Sequence, residues 1–123
     1  GYNDPVIYVA RELKPDTCEY NVVMRHEQTH QQINKAALEY YIPELRYHVM
    51  NISQEIRPLQ ISRSNQVNEA TEILTKQYIQ EIGPLVEAFK KELMKEQGKL
   101  DNHSNYKLEG DLCKYYHKKQ KKK

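Results

Sequence analysis

Two histidines separated by three residues, with a glutamate directly after the first, stand at His26-Glu27-Gln28-Thr29-His30. On a helix, side chains four apart lie one above the other on the same face. His26 and His30 can therefore direct two imidazoles at one divalent cation, an arrangement that suits zinc. Glu27, one position on, can reach a water at that cation without itself being a ligand, and so has the placement of a general base. The bland alternative is a surface helix that happens to carry two histidines. The neighbouring residues argue against it. Val23, His26, His30, Ile33, Ala37 and Tyr40 share a 3-4-3-4 spacing, so the imidazoles lie on the apolar stripe of the helix. Burying two imidazoles and a carboxylate is costly unless something pairs with them.

A catalytic zinc takes three protein ligands and keeps one position open. The third is not given by a continuous motif, because Ile33 and Ala36 occupy the positions where the longer metzincin pattern requires Gly and His. The residues leave several candidates: His48, the downstream glutamates Glu39, Glu44 and Glu55, and His103. His117 stands beside a lysine cluster and is the poorest choice. His103 lies in a polar stretch, Gly98 to Asn105, that reads as a loop. Asp101 beside it can accept the second ring proton of a histidine ligand. Tyr106, just beyond, is a candidate donor for a developing oxyanion.

These residues need helices to hold them. The motif helix is expected from about Glu19 to Tyr41, capped by Asp16 or Thr17 after the Lys14-Pro15 turn. Pro43 is expected to end it and to open a second helix, about Pro43 to Ile56, with the stripe Leu45, Val49, Ile52 and Ile56. Ser62 to Ser64 can cap a long third helix. Its apolar period runs through Val67, Ala70, Leu74, Tyr78, Ile82, Leu85, Phe89 and Leu93, and Gly83-Pro84 predicts a kink or break midway. A short last helix is expected from about Tyr106 to Tyr116. Pro5 to Arg11, rich in β-branched and aromatic residues, reads as a strand, one whose edge could receive an extended substrate. The class is therefore mainly α with one N-terminal strand, an α+β arrangement.

The chain has 123 residues, 38% hydrophobic and 29% charged, with net charge +2. That is one domain by size, expected over residues 1–117. The basic balance belongs to Lys118, Lys119, Lys121, Lys122 and Lys123; residues 118–123 read as a solvated, disordered tail, and nothing calls for a nucleic-acid partner. No apolar run approaches the length of a membrane span. The chain opens Gly1-Tyr2-Asn3-Asp4-Pro5 and reads as a mature or trimmed form, so the lack of a signal peptide does not point to the cytoplasm. The two cysteines, Cys18 and Cys113, permit one disulfide, which would favour an oxidising compartment. The Asn51-Ile52-Ser53 and Asn102-His103-Ser104 sequons are read as chance matches.

The stretch from Cys18 to His30, and more loosely Val6 to Pro15 before it, resembles a family of small bacterial secreted zinc-dependent proteases of unknown function, minimal zincins. The resemblance covers about the first forty residues, and weakly the Leu100–Tyr106 segment. It implies a zincin-like domain holding one zinc ion, with His26 and His30 as ligands, Glu27 as catalytic base and His103 as third ligand. It also implies a peptide or protein substrate and a periplasmic or secreted location. Ser104 stands where that family's His-Gly pattern has glycine, a departure that bears on His103. Two other classes are weighed against the peptidase. One is a zinc-binding structural or interaction module without turnover. The other is a helical interaction domain with no metal, which bound stoichiometric zinc would exclude.

Overall fold

A computed structural model describes residues 4–121. It is mainly helical, with no strand among the described residues. The elements are α1 (Cys18–Glu55), a 3-10 turn (Ser64–Gln66), α2 (Val67–Leu100) and α3 (His103–Gln120). The contacts divide the chain into two compact units. One combines the residues up to Ala36 with those from Leu93 onward; the other is Ala37–Glu92.

In the first unit, α1 begins where Thr17 caps it. The Thr17 hydroxyl accepts from the Tyr20 amide at 3.2 Å and donates to the Lys14 carbonyl at 2.8 Å, so one orphan helix donor is satisfied. Asp16 takes a left-handed conformation, φ 67°, in the turn before it. The expected strand over Pro5–Arg11 is not present: residues 5–10 have no regular structure, and Tyr8 is 89% exposed. The composition suits a strand, but no second strand among the described residues offers it hydrogen bonds, and a strand without a partner does not hold.

The expected loop Gly98–Asn105 contracts to a two-residue junction. Gly98 lies inside α2, and only Asp101 and Asn102 separate α2 from α3. The cause is Asn102, whose side chain accepts from the Asn105 amide at 2.9 Å and so starts α3 three residues before Tyr106. At its other end α3 runs on through Lys118, Lys119 and Gln120, where lysines near a helix C-terminus are favoured by the macrodipole. Lys122 and Lys123 of the expected tail lie outside the described residues. A disulfide joins Cys18 at the start of α1 to Cys113 on α3, with Cα atoms 5.6 Å apart. One face of α3 is thereby paired with α1, since His117 also meets Glu19 at 2.8 Å.

The second unit packs the remainder of α1 against the first part of α2. Ile52 is buried, and the Tyr41 and Phe89 rings meet edge to face at 5.3 Å. Leu38, Ile42, Leu45, Leu85 and Val86 line a small apolar groove beside them. The break expected at Pro43 is absent, and α1 is continuous through it; α2 likewise continues through Gly83 and Pro84. A proline inside a helix forfeits one ladder bond, at a cost of about 3 kcal/mol. Here each proline is flanked by side chains that line the apolar groove of this unit, Ile42 and Leu45 near Pro43 and Leu85 and Val86 near Pro84.

Candidate metal centre

The motif histidines lie two to three turns into α1, within the first unit. His26 is the one polar side chain buried among the described residues, at 5% exposure. His30 is half-buried. The Nε2 atoms of the two rings are 3.1 Å apart. Asp101, in the junction after α2, places Oδ1 3.1 Å from Nε2 of His26 and 2.9 Å from Nε2 of His30. Three donor atoms thus form a near-equilateral triangle.

The outer face of each ring is tied. Nδ1 of His26 lies 3.1 and 3.2 Å from the two carboxylate oxygens of Glu109 on α3. A carboxylate only accepts, so His26 carries its proton on Nδ1. Nδ1 of His30 donates to the Gln97 side-chain oxygen. The Gln97 amide nitrogen in turn donates to Asn34 Oδ1 at 2.9 Å. With both Nδ1 atoms protonated, the neutral rings turn bare Nε2 lone pairs toward each other and toward a carboxylate oxygen. Three acceptors at such separations repel unless a cation stands among them.

A proton is one such cation. Burial pushes the His26 pKa down, but its hydrogen bonds to the Glu109 and Asp101 carboxylates, with their charges, outweigh it and the net direction is upward. A metal ion is the other. Tetrahedral zinc with ligands at 2.0–2.1 Å sets neighbouring donors about 3.3 Å apart, close to the observed triangle. Two imidazoles and one carboxylate are a donor set that zinc accepts. Histidine rings backed by a carboxylate and an amide oxygen are the usual way such ligands are oriented. Among the described residues, His26, His30 and Asp101 are the one cluster able to hold a metal ion. Asp101 is 44% exposed at its side chain, so the triangle is open toward solvent on that side.

Tyr106 completes the wall. Its ring stacks on His26, and its hydroxyl donates to Asp101 Oδ1 at 2.8 Å. That bond is the main reason the Asp101 carboxyl lies below its ordinary range and the Tyr106 phenol above its own. The Glu27 charge also contributes, least of the causes, to raising Tyr106.

No family model, curated protein or solved structure matches this chain.

Of the residues singled out in the sequence, the structure brings together His26, His30, Asp101 and Tyr106, and Glu27 follows His26 on α1. Asp101, expected to support a histidine ligand, itself reaches both Nε2 atoms. His103 is exposed at the first position of α3 and is not in the cluster. His48 belongs to the second unit, with its ring against Tyr47, and Glu39, Glu44 and Glu55 belong there too. Tyr106, expected to serve an oxyanion, has its hydroxyl engaged by Asp101.

Glu109 and Gln97 were not anticipated. Both were within reach of the sequence. Gln97 precedes Asp101 by four positions, which is one helical turn on the same face. Glu109 precedes Cys113 by four, so a Cys18–Cys113 bond aligns it with the α1 turns that follow Cys18.

Proposed function

We propose that the protein is a zinc-dependent metallopeptidase. The observation that carries this reading is the convergence of His26 Nε2, His30 Nε2 and Asp101 Oδ1 on one point, with the motif glutamate directly after His26 in the chain. On this reading His26, His30 and Asp101 hold the ion, and the chain is a helical relative of the secreted zinc-dependent proteases it resembles. Bound there, zinc supplies Lewis-acid chemistry, acidifying water toward a pKa of about 7 and polarising a carbonyl. Glu27 would be the base on this reading, its carboxylate accepting a proton from the attacking water and returning it to the departing amine. Tyr106 holds Asp101 through Oδ1 and shields one face of His26. Glu109 and Gln97 keep both Nδ1 atoms protonated, so that both Nε2 atoms are free to ligate. The disulfide supports a periplasmic or secreted location.

A second reading has its own support. The cluster ties α1, the end of α2 and α3 together beside buried Cys113, so a metal there would also staple a small unit with little apolar core. Glu27→Gln separates the two. Zinc content, measured on purified protein, stays near one per chain under either reading. Cleavage of a mixed peptide library falls about 10²–10⁴-fold in the variant if Glu27 is the base. Wild-type protein that binds zinc but cleaves nothing favours the staple, and protein that binds none sinks both.

A further inference from the structure

The two motif histidines are equivalent in sequence but not in what stands behind them. Behind His26 is a carboxylate, with both Glu109 oxygens within 3.2 Å of Nδ1. Behind His30 is a neutral amide oxygen, that of Gln97. The histidine with the charged partner is the better sheltered: the His26 side chain is 6% exposed against 19% for His30, and that of Glu109 is 15% exposed. Asn105, one turn earlier on α3, donates to Glu109 Oε1 at 3.3 Å and helps fix it. Cys113, one turn later, anchors the same face to α1.

We propose that Glu109 is a positioning residue whose negative charge, delivered through His26, sets the affinity of this centre for a divalent cation. The inference rests on the metal reading above. A dication held by two neutral imidazoles and Asp101 leaves one uncompensated positive charge in a half-buried place, where such a charge is costly. Glu109 supplies the matching negative charge without occupying a coordination position. Its pull on the Nδ1 proton also makes His26 a more basic donor than His30. The centre is thereby asymmetric, with one imidazole strongly donating and one weakly.

The test uses cobalt(II) and zinc titrations of the full chain, read by the visible bands of cobalt and by competition with a chelating dye. Glu109→Gln keeps an acceptor for Nδ1 and removes the charge. It is expected to bind one metal with affinity lower by about 10–100-fold and with shifted cobalt bands. Gln97→Glu added to that variant moves the carboxylate behind His30 and is expected to recover a large part of the lost affinity. A purely structural role for Glu109 gives no such recovery. Circular dichroism confirms that each variant retains its helices. The inference is overturned if Glu109→Gln matches wild type in affinity and spectrum, or if the double variant is no better than the single. Wild-type protein that binds neither metal overturns the metal reading itself, and this inference with it.

Discussion

The Tyr106 ring lies over the ring of His26, with centroids 5.2 Å apart and planes 23° from parallel, while its hydroxyl reaches past to Asp101. One side chain thus touches two of the three converging donors. Tyr106→Phe keeps the stacking and removes the hydrogen bond, so thermal melts should show a small loss of stability. Tyr106→Ala removes both and should lose more, the difference coming from the ring contact with His26. Equal losses in the two variants would show that the hydroxyl carries the whole contribution.

The donor set makes a sharper prediction. His26→Ala, His30→Ala and Asp101→Asn should each abolish tight zinc binding in calorimetric titration, whereas His103→Ala should bind one zinc as wild type does. The opposite pattern for Asp101 and His103 would return the third position to the histidine that the family resemblance implies.

Why the sequence shows one part of this centre and hides the other follows from distance along the chain. His26, Glu27 and His30 lie within two helical turns, so α-helical geometry alone brings them together. Asp101 arrives from the far end of α2, and its placement depends on where that helix stops. Gly98 suggests an early stop, but a mid-helix glycine costs only about 1 kcal/mol relative to alanine, and α2 runs on to Leu100. Asn102 then caps α3 at once, which spends His103 as the first helical residue. Local punctuation also misleads at Pro43, where α1 runs on through the expected break, while α2 holds Pro84 within a continuous helix, leaving the kink as the open half of what Gly83-Pro84 predicts. Pro5–Arg11 shows the converse: strand-like composition does not make a strand without a neighbour.

Acidity should act on the protein in two opposed ways. The raised pKa of His26 means that, after chelation of metal, its ion pairs with Glu109 and Asp101 stabilise the fold fully below the ordinary value of 6.5 and fade as pH rises through the higher folded value. Zinc needs the bare Nε2 and competes with that proton, so metal-dependent stabilisation should grow over the same interval. Melting temperatures recorded from about pH 5 to 8 should fall with pH in a chelator and rise with pH in zinc. Parallel curves would contradict this competition. Asp101 adds an effect of the usual carboxylate sign, lost as pH falls through its lowered pKa.

Replacing both Cys18 and Cys113 by serine opens a loop of 95 residues' separation and should lower stability by about 4–5 kcal/mol on the chain-entropy account. It should also weaken metal binding, because Cys113 anchors the helix that carries Glu109 and Tyr106. Denaturant melts and the cobalt titration read the two effects separately. Undiminished cobalt affinity in a variant that is still helical would show that α3 holds its place without the bond.

Between α1 and the 3-10 turn, residues 56–63 carry no helix, and Arg63 at their end is exposed. A trypsin-like scission after Arg63 would leave two peptides, one bearing His26, Glu27 and His30, the other bearing Gln97, Asp101, Tyr106 and Glu109. The Cys18–Cys113 bridge would keep them a single molecule on a gel until a reductant is added. The centre is in this sense bipartite, and a nicked chain would still hold both halves of it covalently together.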